Sequence, residues 1–184
     1  MRSAIIRILL LLPAVLLLSA GAPYSNARPW KVTAYIQSHL YLAKELHLET
    51  GIPVPFILAV AGLESDWGRS ELARHANNHF GLKVKPEWRG LQYCKQTQEF
   101  SGLDAYQETA CFRKYPLIRR SYQDFGRFIT ARKNYQATQG LSVWDYQGWA
   151  EAIQQGGYAT DPEYAQKLRG IIWRYQLSEF QLTD

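Results

Sequence analysis

Phe56-Ile57-Leu58-Ala59-Val60-Ala61-Gly62-Leu63 runs directly into Glu64-Ser65-Asp66-Trp67-Gly68, and the reading of this stretch decides the fold. Pro53 and Pro55 lie just upstream, and proline is tolerated in the first turn of a helix. The residues after them are apolar on every side, so the helix they form runs through the middle of a core. A carboxylate closes it. Glu64 is therefore partly desolvated, which raises its pKa. The partial negative charge of the helix C-terminus acts in the same direction. A carboxyl group still protonated near neutral pH is what a general acid must be. Trp67 is placed to wall one side of such a site. The competing reading is a surface glutamate at a helix end with Trp67 as core filler, and composition leaves both open.

Upstream, Ile36, Leu40, Ala43 and Leu46 recur at helical spacing over residues 33–48, and Thr50-Gly51 ends that helix. Downstream, helical periodicity fades over residues 82–115. Turn residues punctuate this segment at Lys85-Pro86, Arg89-Gly90 and Ser101-Gly102, which predicts a small β-hairpin region. Helical spacing returns with Tyr122, Phe125, Phe128 and Ile129. Ser142-x-x-Asp145 reads as a helix start, and Gly156-Gly157 as its stop. Asp161-Pro162 starts the last helix, with Asp161 as cap, and Tyr164, Leu168, Ile171, Ile172 and Tyr175 line one face of it. The expected architecture is one mainly α domain over residues 32–184 with a β-hairpin insertion.

The 184 residues are 47% hydrophobic, 14% aromatic and 20% charged, which excludes a disordered chain, a collagen-like repeat and a coiled coil. Six Trp and twelve Tyr mean a well-filled core or a surface that stacks on sugars. Arg2 and Arg7 precede an apolar run over residues 8–18, and small residues follow at Ser19-Ala20-Gly21-Ala22. This reads as a secretory signal peptide over residues 1–22, with a second cleavage pattern at Ser25-Asn26-Ala27. The other reading is an uncleaved N-terminal anchor, although a span needs roughly 20 apolar residues. Residues 23–31 read as a linker. With Arg2 and Arg7 set aside the formal charge falls from +5 to +3, and no Lys/Arg run or stripe supports nucleic-acid binding. Stable membrane insertion is not expected once the signal is removed. In an exported chain Cys94 and Cys111 are expected to pair, the alternative being two free thiols.

Other chemistries find little support. His75 and His79 are four residues apart, yet they lack the intervening Glu of a zinc hydrolase motif and a third ligand. No metal site is expected. No serine sits in a nucleophile elbow, and no phosphate loop is present.

Four motifs together resemble a known family. They are Glu64-Ser65-x-Trp67-Gly68-x-Ser70, Asn77-Asn78-x-Phe80-Gly81-x-Lys83, Phe112-Arg113-Lys114-Tyr115, and Gly157-Tyr158-Ala159-Thr160-Asp161-Pro162-x-Tyr164. In this order, between about Tyr35 and Tyr175, they resemble the bacterial glucosaminidases of glycoside hydrolase family 73. The resemblance implies a lysozyme-like fold with a substrate groove between a helical lobe and a small β lobe. It implies hydrolysis of the β-1,4 bond between N-acetylglucosamine and N-acetylmuramic acid in peptidoglycan, without a cofactor. It assigns the general acid to Glu64 and a substrate-supporting role to Tyr158. The family's second carboxylate lies on the hairpin, and Thr97-Gln98-Glu99-Phe100 matches best, so Glu99 is the choice, with Asp104 and Glu108 behind it. Trp67, Asn78, Phe80, Tyr115 and Asp161 are expected to line the groove. Related chemistries on the same fold, a muramidase or a lytic transglycosylase, also rest on one helix-end glutamate. A wall-binding module that has kept the groove is the non-catalytic alternative.

Overall fold

The computed structural model describes residues 27–101 and 104–182, and the side chains of residues 97–108 lie outside the description. The expected signal segment, residues 1–22 or as far as 27, falls almost wholly outside it. Helix α1 spans Trp30–Thr50, and Gly51 ends it in the left-handed conformation at φ 73°, its N–H bonded to the His47 carbonyl. It therefore begins inside the segment expected to be linker. Helix α2, Val54–Ser65, has Pro55 in its first turn and every residue from 54 to 62 buried. It packs against α1 and against the last two helices, so the apolar run is the axis of the core.

Ser70 caps α3, Glu71–Ala76, by accepting a hydrogen bond from the Ala73 N–H. This short helix has too few residues for its periodicity to show in the sequence. Two strands follow, β1 (Leu91–Ser101) and β2 (Asp104–Lys114), paired antiparallel in one ribbon. Residues 82–90 are not strand, apart from an isolated bridge between Lys83 and Phe112. The turn residues at 85–90 keep that stretch in a loop. Helix α4 (Ile118–Thr130), a 3-10 turn (Lys133–Thr138), α5 (Tyr146–Gln155), α6 (Tyr164–Arg174) and a last 3-10 turn (Leu177–Phe180) complete the described chain.

Two expected helix starts are corrected. The cap of α5 is Asp145, whose carboxylate accepts from the Gly148 N–H, while Ser142 lies upstream. Helix α6 begins at Tyr164. Asp161 accepts from the Glu163 N–H and pairs with Lys167, closing a turn before the helix rather than capping it. Among the described residues, no helix is long and apolar enough to cross a membrane.

Cys94 and Cys111 stand directly opposite each other in the ribbon and form a disulfide. Below it the ribbon is stitched to the helical body. The Val84 N–H donates to the Cys111 carbonyl, the Arg113 N–H to the Leu82 carbonyl, and the Tyr93 hydroxyl to Glu71. A cross-link over 17 residues limits the unfolded chain by roughly 3 kcal/mol at most. The ribbon is peripheral and can open without the core, so only part of that reaches the global transition. Reduction is expected to lower the melting temperature by about 5 °C. Calorimetry with and without reductant checks this, and an unchanged transition would count against it.

Candidate active site

Glu64 is the penultimate residue of α2, and the backbone beyond it ends the helix abruptly. Asp66 and Trp67 both adopt positive φ, at 46° and 55°, a rare conformation for side-chain-bearing residues. Ser65 holds this turn together. Its hydroxyl donates to the Ala61 carbonyl and accepts from the Gly68 N–H, at 2.5 and 2.8 Å. The Trp67 ring folds back over Gly62, where a Cβ would lie 2.8 Å from it, and meets Tyr35 and Tyr175 edge-on. Trp67 is thus core, and its expected place on the groove wall is corrected. Only glycine at position 62 leaves space for that ring.

Two groups meet the Glu64 carboxylate from distant parts of the chain. Tyr164, the first residue of α6, donates its hydroxyl to Oε1 at 2.7 Å. Gly81 lies against Oε2, where a Cβ would stand 3.1 Å away, in a turn that also requires φ +63°. Burial pushes the Glu64 pKa above the ordinary carboxylate value, and the Tyr164 hydrogen bond opposes the rise. Tyr158 sits beside this pair, its ring 5.8 Å from that of Tyr164, and its hydroxyl donates to the Phe80 carbonyl at 2.8 Å. Burial raises the Tyr158 pKa well above its usual value, and the nearby Glu64 charge adds to the rise. Tyr158 is therefore a neutral, fixed hydroxyl next to a desolvated carboxyl. Three motifs far apart in the sequence converge here: residues 64–68, 80–81 and 158–164.

Of the remaining expected groove residues, Asn78, Phe80 and Tyr115 are buried scaffold. Asn78 is 1% exposed. Its amide donates to the Leu82 and Arg113 carbonyls, and its Oδ1 accepts from the Phe80 and Leu82 N–H groups. Its hydrogen-bonding capacity is spent on shaping the Phe80-Gly81 turn, so it has none left for a ligand. The Phe80 ring stacks on Phe125 at 4.2 Å in the core, and only its backbone carbonyl reaches the site. Tyr115 is buried and donates to Asp124 at 2.6 Å. Asp161 is held by Lys167 and the Glu163 N–H. Asn78, Phe80 and Tyr115 thus build the site without facing it, while Asp161 stays part-exposed in its turn.

Glu99 lies on β1 opposite Tyr106, with Glu108 opposite Thr97 and Asp104 opposite Ser101. Their side chains are outside the described part of the structure. His75 and His79 separate: His75 stacks on Tyr93, while His79 is buried with Nδ1 2.8 Å from the Tyr35 hydroxyl. Burial, with the neighbouring His39, pushes His79 down to about 3. Among the described residues, no cluster of three or more His, Cys, Asp or Glu is set to hold a metal.

Tyr164, which the sequence shows only as one more apolar-face position of the last helix, is the hydrogen-bond partner of Glu64. Its signal was its place at the end of the Gly157–Tyr164 motif, after a proline, where a helix begins. Tyr164→Phe removes the group that stabilises the Glu64 carboxylate, so the Glu64 pKa rises further. The alkaline limb of the pH–rate profile is expected to move upward, with a rate loss below about tenfold near neutral pH. An unmoved limb would show that the hydroxyl does not act on the acid.

Comparison with known proteins places the chain in a family. The glucosaminidase family model, described as mannosyl-glycoprotein endo-beta-N-acetylglucosaminidase, matches residues 41–177. The exo-glucosaminidase LytG of Bacillus subtilis is 38% identical over 128 residues, which are 67% of this chain and 44% of that protein. The peptidoglycan hydrolase FlgJ of Pseudomonas aeruginosa is 30% identical over 146 residues, covering 77% of this chain and 36% of that one. The chain thus spans less than half the length of either. The catalytic domain of the autolysin Auto from Listeria monocytogenes superposes with a TM-score of 0.71 at 30% identity, over 84% of this chain and 90% of that one. With that match across most of its length and a half-buried glutamate near the end of its central helix, this chain belongs to the glucosaminidase family of glycoside hydrolases, on a lysozyme-like fold.

Proposed function

We propose that this protein is an exported peptidoglycan hydrolase, an endo-β-N-acetylglucosaminidase that cleaves the β-1,4 bond between N-acetylglucosamine and N-acetylmuramic acid. The observation that carries the reading is the Glu64 carboxyl: desolvated, raised in pKa, oriented by Tyr164 and flanked by Gly81 and Tyr158. Glycoside hydrolysis needs an acid to protonate the leaving oxygen and a partner for the cationic anomeric carbon. In this mechanism Glu64 gives its proton to the glycosidic oxygen as the C–O bond breaks. Glu99, carried on the ribbon, takes a proton from the water that attacks the anomeric carbon, which gives inversion. Tyr158 supports the charge at that carbon. The names of the relatives, a peptidoglycan hydrolase and a glucosaminidase, support the substrate. The basic start and apolar run of residues 1–22 support export.

The test is digestion of purified peptidoglycan followed by borohydride reduction and mass spectrometry. Reduced N-acetylglucosamine at new internal ends is the expected product. Release of single terminal sugars would make the enzyme exo-acting, and reduced or anhydro-muramic ends would make it a muramidase or a transglycosylase. Unimpaired activity of Glu99→Gln would pass the second role to the substrate's own acetamido group.

A further inference from the structure

A groove of about 880 Å³, in the size range of ligand-holding clefts, runs between the start of α1 and the outer face of α6. Tyr146, Arg169, Trp173 and Arg174 are among its walls. Trp173 is 83% exposed, the most exposed large apolar side chain among the described residues. Arg174 enters none of the ion pairs among those residues, and Arg169 is 3.7 Å from its one acidic neighbour, Glu151. The Tyr146 hydroxyl is buried without a hydrogen-bond partner. The groove is distinct from the Glu64 site. Trp173 lies nine residues beyond Tyr164, which at 100° per residue is the opposite face of α6, and about 13 Å along it.

An exposed indole beside two arginines has a definite chemistry. The ring stacks on the apolar face of a sugar. The guanidinium forks bind carboxylates in paired hydrogen bonds. Few polymers offer both along one strand, and a glycan bearing lactyl and peptide carboxylates does. The mild overall charge and the absence of a basic stripe weigh against nucleic acid. We infer that this groove is a second glycan-binding site, which holds an anionic wall strand on the side of α6 turned away from the catalytic carboxyl. The inference rests on the substrate reading above.

The test separates binding from cleavage. Trp173→Ala/Arg174→Glu is made in the Glu64→Gln background and sedimented with insoluble peptidoglycan, and also in the active protein with soluble peptidoglycan oligomers. Affinity for insoluble wall is expected to fall about tenfold, the scale of losing a central aromatic anchor. Turnover of soluble oligomers is expected to stay within twofold, and the melting temperature to hold, since both side chains are exposed. Unchanged sedimentation would overturn the inference. So would an equal fall in soluble turnover, which would place the groove in the catalytic machinery. Loss of binding to anionic lipid vesicles or single-stranded DNA, with wall binding intact, would reassign the groove and overturn the glycan. If the active parent cleaves no soluble oligomer, the substrate reading fails, and sedimentation still decides the groove.

Discussion

Glu64→Gln is expected to lose at least about 100-fold in the rate of peptidoglycan cleavage while remaining fully folded. Glutamine has the same shape and keeps an oxygen for the Tyr164 hydroxyl, but it has no proton to give to a leaving alkoxide. The stability arm makes the prediction sharp. The Glu64 pKa is raised in the folded state by burial, so the native protein holds this proton more tightly than the unfolded chain does. Such a group stabilises the fold at low pH, and the contribution is lost as pH rises through the native pKa. At pH 7 an ionised Glu64 therefore costs stability, and the neutral amide does not. The variant is expected to melt no lower than wild type at pH 7, with the difference shrinking toward pH 4. Product formation by reducing-end assay and melting curves at the two pH values check both arms. Near-wild-type turnover would remove Glu64 from the acid role. A large drop in melting temperature would mean that its role is structural.

The same physics explains what the sequence disclosed and what it withheld. The uncharged run at 56–63 admits one solution, a helix buried all round, and the carboxylate at its end is anomalous in any fold. That is why the core axis and Glu64 were both legible. The ribbon was legible as a region because turn residues and lost periodicity are local signals. Its start was not, because residues 82–90 are held by a single bridge and by hydrogen bonds to partners some thirty residues away. The groove residues were misread for a related reason. Asn78, Phe80 and Tyr115 sit in motifs that accompany the site, and a motif shows that a residue matters without showing which way it points. Asn78 points at four backbone groups, and Tyr115 points at Asp124. Tyr164 was the opposite case. It fits an apolar helix face, yet its hydroxyl reaches a carboxylate 100 residues away in sequence. Spacing along a chain cannot encode that meeting.

Asp124→Asn is expected to be strongly destabilising, where Glu64→Gln is not. Asp124 lies on α4, buried. Its Oδ2 accepts from Arg113 at 2.7 Å and from the Tyr115 hydroxyl at 2.6 Å. Arg113, also buried, is enclosed further by the Trp88 and Phe128 rings, with centroids 4.9 and 5.8 Å from the guanidinium. Its other acidic neighbour, Glu87, stands 3.9 Å away and is largely exposed. Neutralising Asp124 leaves a desolvated guanidinium without its main counter-charge, the situation that costs about 3–5 kcal/mol in buried pairs. For a domain of this size the melting temperature is expected to fall by about 10 °C or more. The loss should also reach the active site. Arg113 and Tyr115 share the segment whose backbone is bonded to Leu82, Ala76 and Asn78, and that segment holds the Phe80-Gly81 turn against Glu64. A rate measured well below the new melting point, where the protein is folded, is therefore expected to fall several-fold, with no shift in the alkaline limb that Glu64 sets. Replacing both partners together, Arg113→Met with Asp124→Leu, removes the stranded charge and is expected to recover part of the stability. A single variant as stable as wild type would show that Glu87 and the two rings suffice to hold Arg113.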